Sequence, residues 1–464
     1  MWDLQGAGWE IGQKITSTIA KMLFEGGKFA YGAYKDNQLQ QQITAQTEAV
    51  TNPDLPPELA SSVKRGVVFG KWQGQYLVKP EYLDGHTLVV GGSGSGKSSC
   101  LVIPTIRNWR SSVFAIDIKG ELSALTKDYR HNVKSFSPYY YGYDPFHTLH
   151  ASDNPAQEAK AIAQAIIHIP PDTREPFWLK SAQNILTGAI LHYSAQGKSF
   201  LEVIATIQST PHETLIQEIV QSDVLEARYF VNGLQGLEDV TLAGIMTELS
   251  NNIVVFVTDK ALISALSRPK NITPEDLEDG CDVYIQIPEH LLNQWPNFLG
   301  LMVNQFMRYF EQRSSENAYP TLFLLDEFPR LGKIDAIQNG LATLRSRKVS
   351  MCLVAQSLSQ LDEIYGANAR RTIVDNCAYQ AILSATDADT QELFSRLVGK
   401  WDKPKKGYGK HLEVLGLVSN RSESIHYERS PIIDPQEFRQ LGNDAIVLTP
   451  YGYCRVEKVP YYLE

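Results

Sequence analysis

One glycine-rich run constrains the fold of this chain more than any other feature of its sequence: Gly91-Gly92-Ser93-Gly94-Ser95-Gly96-Lys97-Ser98. The run satisfies the pattern G-x-x-x-x-G-K-[ST]. It stands between the apolar segment Leu88-Val89-Val90 and a stretch with helical periodicity that reaches Trp109. A strand, such a turn and a helix in this order form the phosphate-binding loop of P-loop NTPases. The sequence therefore predicts an α/β fold with a nucleotide site at this loop.

Each residue type in the run has a physical role. Glycines let backbone N–H groups curl around phosphate oxygens without clashes from Cβ atoms, and the helix N-terminus adds partial positive charge. We expect Lys97 to reach the β- and γ-phosphates and the hydroxyl of Ser98 to ligate Mg²⁺. The predicted nucleotide-binding residues are therefore Gly91 to Ser98 and the following Ser99, with ATP and Mg²⁺ as the expected cofactors.

Composition excludes several classes of protein. The chain has 464 residues, of which 43% are hydrophobic and 20% charged, so wholesale disorder is excluded. A net charge of −9 argues against a broad duplex-DNA-binding face but is compatible with a locally basic channel. The five cysteines form no C-x-x-C pair, which argues against zinc and disulfides. No signal peptide or membrane-spanning run is evident, so the sequence predicts a cytoplasmic protein.

A second motif supplies the acids that an NTPase needs. The apolar segment Leu322-Phe323-Leu324-Leu325 ends abruptly in Asp326 and Glu327. In such enzymes a carboxylate at the end of a buried strand holds Mg²⁺, and we assign this role to Asp326. The adjacent Glu327 is the expected general base that takes a proton from the attacking water. A solvated strand end is the alternative. The adjacent glutamate distinguishes the chain from nucleotide kinases and small GTPases, in which the group that orients water does not lie next to this aspartate.

Two further residues are assigned to the same chemistry. The apolar segment Met351-Cys352-Leu353-Val354-Ala355 leads into Gln356, which would project toward the γ-phosphate if the strands are parallel neighbours. A surface glutamine is the alternative. Arg345 is the first candidate, and Arg347 the second, for an arginine that completes the site of a neighbouring subunit in a ring ATPase. The alternative for both is a solvated cluster at a helix end.

The pattern along the chain predicts three regions. Residues 150–267 repeat Ala, Gln, Leu and Ile at helical spacing and predict an inserted all-α domain. Strand-like runs and helices alternate in residues 61–149 and 268–464, which predicts one domain with a mostly parallel sheet flanked by helices. Residues 1–60 predict an amphipathic helix over 9–24 and a polar linker. That helix either packs on protein or lies on a membrane surface through Trp2 and Trp9.

The stretch Lys400–Lys410 predicts an exposed loop. Its basic and aromatic residues suit single-stranded DNA, with a disordered or protein-contacting loop as the alternative.

These motifs together resemble those of type IV coupling proteins, the TraG/TraD-type conjugation ATPases within the FtsK/HerA-like P-loop superfamily. The resemblance rests on the run 91–98, Asp117-Ile118-Lys119-Gly120-Glu121-Leu122, Leu325-Asp326-Glu327-Phe328-Pro329 and Gln356-Ser357. It implies a RecA-like domain with an all-α insertion that assembles as a hexameric ring. It also implies ATP-driven delivery of relaxase-bound single-stranded DNA, or of effector proteins, to a type IV secretion channel. The family roles fall on Lys97, Ser98, Asp326, Glu327, Gln356 and Arg345.

The resemblance has two departures and leaves alternatives. Asp117-Ile118-Lys119-Gly120-Glu121 stands where the family usually has Asp-Pro-Lys-Gly-Glu, and the charged pattern survives. Members usually begin with transmembrane helices, whereas no membrane-spanning run is evident in this sequence. The difference implies that the chain belongs to a soluble subset or that a partner anchors it at the inner face of the membrane. The alternatives are an FtsK/HerA-type DNA translocase outside conjugation and a receptor platform for effectors with little motor activity. An ABC-type ATPase is disfavoured because its Leu-Ser-Gly-Gly-Gln signature does not occur between the nucleotide motifs.

Overall fold

The structure, a computed structural model, describes residues 16–17, 34, 37–50, 56–170, 173–316, 318–410 and 421–463. The helix predicted over 9–24 lies outside these residues except at 16–17, as do Trp2, Trp9 and residues 51–55 of the linker. Two compact units are distinguished. The large unit contains the described residues of Leu55–Phe394 and Pro435–Glu464, and the small unit those of Met1–Asp54 and Ser395–Asp434.

The described residues form fourteen strands. They are β1 (Ala60–Ser61), β2 (Gly66–Trp72), β3 (Gln75–Pro80), β4 (Thr87–Val90), β5 (Val113–Ile116), β6 (Val133–Phe136), β7 (Asp282–Ile285), β8 (Thr321–Leu325), β9 (Val349–Ala355), β10 (Tyr379–Ile382), β11 (Lys400–Lys410), β12 (Arg421–Pro431), β13 (Asp444–Thr449) and β14 (Gly452–Glu457).

Twelve of these strands form one sheet in the large unit, in the order β1-β3-β2-β14-β13-β10-β4-β9-β8-β5-β7-β6. All pairs from β10 to β6 are parallel, and those from β1 to β10 are antiparallel. Strands β4, β5, β7, β8 and β9 are buried along their whole length, as expected for parallel strands covered on both faces. The prediction of a mostly parallel α/β sheet is confirmed.

The register of the sheet brings the two sequence motifs to one edge. Val90 at the end of β4 pairs with Ala355 at the end of β9. Leu325 at the end of β8 pairs with Leu353 of β9 and with Ile116 of β5. The phosphate-binding loop, Asp326 and Gln356 therefore all leave the sheet at the carboxyl ends of parallel strands, where open α/β sheets bind ligands.

The long connection between β6 and β7 is helical. Its described residues form no strand, and Ile185, Leu186, Ala189 and Ile190 are fully buried, as their helical spacing predicts. Its helices are His147–Ala151, Pro155–Ile166, Phe177–Ala195, Phe200–Ser209, His212–Val220, Leu225–Val231, Asp239–Ile253, Val255–Thr258, Lys260–Leu266 and Glu275–Glu278.

The other helices connect the strands. After β4, a π-helical turn, Lys97–Val102, continues into the α-helix Ile103–Asn108. No helix among the described residues is both long and apolar enough to span a bilayer. The remaining helices are Glu121–Thr126, Glu289–Leu292, Pro296–Gln312, Asp335–Thr343, Leu358–Tyr365, Ala367–Asn376 and Ala388–Val398.

A buried ion pair joins the segment before β6 to the start of β7, and its carboxylate also binds β5. The guanidinium of Arg130 donates to both carboxylate oxygens of Asp282 at 2.5 and 2.9 Å, and Asp282 also accepts from the backbone N–H of Val113 at 2.8 Å. Arg130 also donates to the carbonyl oxygens of Trp109 and Ser111. Both charges are fully hydrogen-bonded, which is the condition under which a buried pair is tolerated.

We expect Asp282→Asn to lower the free energy of unfolding of the large unit by about 3–5 kcal/mol, because it leaves the buried Arg130 charge without its partner. Urea denaturation followed by circular dichroism measures this. The matched control is Asp362→Asn, which breaks the more exposed pair with Arg370 and should cost less than about 1 kcal/mol. Equal losses in the two variants would contradict the role assigned to the buried pair.

In the small unit, the prediction of a loop at Lys400–Lys410 is wrong. This stretch forms strand β11, which pairs antiparallel with β12 from Lys400 opposite Pro431 to Lys410 opposite Arg421. Opposite charges face each other across the two strands, with Asp402 opposite Arg429 and Lys403 opposite Glu428. Such cross-strand pairs stabilise a hairpin. The lysines and glycines indicated a loop because these residue types are less common in strands.

Candidate functional site

The phosphate-binding loop follows β4 and is anchored to the neighbouring strand. The backbone N–H of Gly91 donates to the carbonyl oxygen of Ala355 at 3.1 Å. Gly94 and Gly96 have φ angles of 73° and 94°, in the left-handed region that favours glycine. A Cβ at Gly96 would lie 2.9 Å from the Sγ of Cys100 in the helical turn that follows. Gly94 and Gly96 are therefore the residues that the backbone path of the loop favours at these two positions.

Lys97 is buried and its ammonium folds back onto the loop. Its Nζ donates to the carbonyl oxygens of Gly91 at 2.6 Å and Gly92 at 3.1 Å. Burial lowers the pKa of Lys97, while the nearby carboxylates of Asp326 and Glu327 act in the opposite direction. The ammonium thus lies within the loop, on the side of the two acids.

Asp326 and Glu327 follow β8, and the chain bends sharply between them. Glu327 has φ 48° and ψ 38°, a left-handed conformation that costs free energy in a residue with a side chain. The Glu327 N–H donates to Asp326 Oδ1 at 3.0 Å. Burial, and then the charge of Glu327, raise the pKa of Asp326 to about 6. A buried carboxylate beside a second acid suits a cation, and carboxylate oxygens are among the ligands that Mg²⁺ prefers.

Two basic side chains that sequence reasoning missed hold Glu327. Lys119 Nζ donates to its Oε1 at 3.1 Å, and Arg330 Nη1 to its Oε2 at 3.0 Å. Arg330 also pairs with Glu289 at 2.5 Å. Burial acts to raise the pKa of Glu327, but the hydrogen bonds from Arg330 and Lys119 outweigh it and lower the pKa below its usual value. Glu327 is therefore ionised, as a general base must be.

Asp117, in the second quoted motif, has a local structural role. It follows β5, is 2% exposed, and its Oδ2 accepts from the backbone N–H of Ser123 at 2.8 Å. Burial raises the pKa of Asp117, while backbone hydrogen bonds, the first of them from Ser123, act to lower it. The carboxylate thus fixes the start of the helix Glu121–Thr126 and directs the segment that carries Lys119 toward Glu327.

Gln356 and Arg345 lie at opposite ends of β9. Strand β9 is the parallel neighbour of both β4 and β8, so Gln356 leaves the sheet between the phosphate-binding loop and Asp326. Arg345 is exposed in the turn Leu344–Arg347, before the amino end of β9, and does not reach the loop of its own chain. Arg347 is engaged elsewhere, since its Nη1 donates to the carbonyl oxygen of Arg313 at 2.9 Å.

Comparisons with known proteins place the chain in a family. The family model described as "Type IV secretory system Conjugative DNA transfer" matches residues 33–464. Protein VirD4 of Agrobacterium fabrum (strain C58 / ATCC 33970) is 25% identical over 421 residues, which cover 86% of this chain and 62% of VirD4. The conjugal transfer protein TraG of Escherichia coli is 24% identical over 421 residues, which cover 82% of this chain and 65% of TraG. This chain spans less than two thirds of the length of both relatives.

Solved structures share the fold. The bacterial conjugative coupling protein TrwBdeltaN70, in an unbound form, is similar with a TM-score of 0.68 and 17% identity, covering 88% of this chain and 90% of that one. The plasmid coupling protein TrwB, solved in complex with ADP and Mg²⁺, gives a TM-score of 0.66 at 17% identity, covering 88% and 91%. The predicted RecA-like P-loop fold is thus confirmed.

The matched residues run through the whole described sheet and both nucleotide motifs, from the helical residues 37–50 to the last described residue. The sequence motifs had indicated the same family. This chain belongs to the type IV secretory system conjugative DNA transfer family.

Proposed function

We propose that this chain is an ATP-hydrolysing coupling protein that brings relaxase-bound single-stranded DNA, or protein effectors, to a type IV secretion channel. One observation carries the proposal: the phosphate-binding loop, Asp326 and Glu327 lie at one edge of the sheet, with Gln356 between them. By their names, TraG is a conjugal transfer protein and TrwB is a plasmid coupling protein, and TrwB has been solved with ADP and Mg²⁺.

In the proposed reaction, the bond between the β- and γ-phosphates of ATP is broken by water, giving ADP and inorganic phosphate. The N–H groups of the loop and of Ser98 and Ser99 bind the phosphates, and the Lys97 ammonium exchanges the carbonyls of Gly91 and Gly92 for phosphate oxygens. Ser98 and Asp326 would hold Mg²⁺. Mg²⁺ supplies charge that offsets the negative charge of the phosphates.

Glu327 is the proposed base that takes a proton from the attacking water. Each of its oxygens accepts one hydrogen bond, from Lys119 or from Arg330, and keeps a second lone pair that can accept the proton. Gln356 is the proposed sensor of the γ-phosphate. The two hydrogen bonds hold the carboxylate of Glu327 in position for this step.

We also propose the domain division given by the sequence. Residues 61–149 and 268–464 form the nucleotide-binding domain, 150–267 the inserted all-α domain, and 1–60 an N-terminal segment. The helices between β6 and β7 support the insertion. A hexameric ring, a membrane-anchoring partner and a location at the inner face of the membrane belong to the same proposal.

The test of the proposal is ATP hydrolysis by the purified chain, with and without single-stranded DNA, over a series of protein concentrations. We expect the rate per subunit to rise with concentration and to be stimulated by DNA. Lys198→Ala, a change in the helical connection and remote from the loop, serves as the control and should hydrolyse ATP normally. A low rate indifferent to both DNA and concentration would favour the receptor platform.

Arg345 is proposed to act on the ATP site of a neighbouring subunit, because it is exposed and lies away from its own loop. Arg345→Ala and Glu327→Gln should each be inactive alone. Mixed rings should recover activity, because some interfaces then combine an intact Arg345 with an intact Glu327 from the other subunit. Mixing Glu327→Gln with the double variant is the control and should give no recovery. Failure of the first mixture to recover at any ratio would refute the trans arginine.

A further inference from the structure

A lysine from the antiparallel part of the sheet contacts the outer side of the phosphate-binding loop. Lys458 directly follows β14, and its Nζ donates to the carbonyl oxygen of Ser95 at 3.2 Å and to that of Leu383 at 3.4 Å. Leu383 follows β10, the strand beside β4. One ammonium therefore joins the loop after β4 to the segment after β10.

A second contact from the same segment holds the beginning of the loop. The backbone N–H of Gly92 donates to the Oγ of Ser384 at 3.1 Å. The loop is thus anchored to the β10 segment at Gly92 through Ser384 and at Ser95 through Lys458. Ser93 and Gly94, between these two anchors, are exposed. Without the anchors, the exposed turn would have more conformations to lose when phosphate binds.

The position of Lys458 is itself fixed. Its backbone N–H donates to the carbonyl oxygen of Asn443 at 2.7 Å, which holds the residue against the start of β13. Its side chain is half-buried. Burial lowers the pKa of Lys458, and the nearby Cys100 and Asp444 oppose this shift. The side chain therefore cannot move to solvent without breaking its hydrogen bonds to the two carbonyl oxygens.

We propose that Lys458 is a positioning residue for nucleotide binding, which holds the phosphate-binding loop in its binding conformation from outside. This inference rests on the proposed function, since it concerns the same ATP site. The backbone N–H groups of such a loop point to the phosphate. A donor to the carbonyl oxygen of Ser95 fixes the orientation of that peptide group, whose N–H belongs to Gly96. Preorganisation of this kind strengthens binding by lowering the entropy lost on binding.

The experiment measures the affinity of the full chain for Mg·ADP by isothermal titration calorimetry, together with kcat and KM for ATP. We expect Lys458→Met to weaken Mg·ADP binding about 10-fold and to raise KM similarly, with kcat lowered less than about 3-fold. Lys458→Arg should restore most of the affinity, because it keeps the charge and the donors. Lys198→Met, which removes another half-buried lysine that donates to a hydroxyl, is the matched control and should bind normally.

Ser384→Ala gives a second, independent variant. Because Ser384 and Lys458 hold the same loop, the double variant should lose less affinity than the sum of the two single losses. Fully additive losses would overturn the proposal. It would equally be overturned if Lys458→Met bound Mg·ADP with an affinity within twofold of that of the unchanged chain. A loss of kcat with unchanged affinity would also overturn it. Failure of the unchanged chain to bind Mg·ADP would instead overturn the proposed function, and Lys97→Ala provides the reference for lost binding.

Discussion

Lys97→Ala is expected to reduce ATP hydrolysis at least about 1,000-fold, to the background of the assay. The ammonium is buried, it already donates two hydrogen bonds within the loop, and it lies on the side of Asp326 and Glu327. In such a site, one positive group directed at developing negative charge contributes a factor of about 100–1,000, and the loss of phosphate binding adds to it. Steady-state release of inorganic phosphate measures the effect.

The loss must come from chemistry and not from unfolding. Lys97→Ala removes a buried charge whose burial is itself costly, so we expect the thermal unfolding midpoint to change little. Lys198→Ala provides the matched control, because it removes a lysine from the helical connection and should retain full hydrolysis. Near-normal hydrolysis by Lys97→Ala would end the motor interpretation of this chain.

Glu327→Gln is expected to bind Mg·ATP within a few-fold of the unchanged chain and to hydrolyse it about 100- to 10,000-fold more slowly. That range is the usual contribution of a positioned general base. The amide oxygen can still accept from Lys119, whereas the amide nitrogen faces the donor Arg330, so the side chain keeps part of its position. Single-turnover hydrolysis and binding titrations with Mg·ATP separate the two effects.

Glu289→Gln is the control for this change. Glu289 also pairs with Arg330 but is more exposed and lies away from Asp326, so the variant should lower the rate less than about fivefold. If Glu327→Gln hydrolysed ATP at an unchanged rate, the base would be another group. If Glu289→Gln were as slow as Glu327→Gln, the position of Arg330 would matter more than the carboxylate of Glu327.

The sequence was most informative where the signal is local. Four apolar residues before Asp326, and a glycine-rich turn before Lys97, define strand ends by themselves, and parallel pairing then brings those ends together. Helical spacing also indicated the helices of the insertion, where the structure buries Ile185 and Ala189. These features need only the neighbouring residues to be recognised.

Contacts between distant segments could not be predicted in this way. Lys119 and Glu327 meet only after β5 and β8 pair, and Lys458 reaches Ser95 only after the antiparallel strands extend the sheet. The strand at Lys400–Lys410 was missed for a different reason: its partner β12 begins nearby, at Arg421, but its own lysines and glycines are typical of a loop. The sequence does not indicate which distant oxygen atom a lysine side chain will bind.

Strand β9 has a consequence for the timing of hydrolysis. It is buried over all seven residues and is held by hydrogen bonds on both sides, so it joins its two ends through a rigid strand of about 20 Å. In the proposed ring, one end carries the sensor of a subunit's own ATP and the other carries the arginine for the next ATP. A displacement at the first end is then transmitted to the second. Adjacent subunits would therefore hydrolyse ATP in succession around the ring, and not independently of one another.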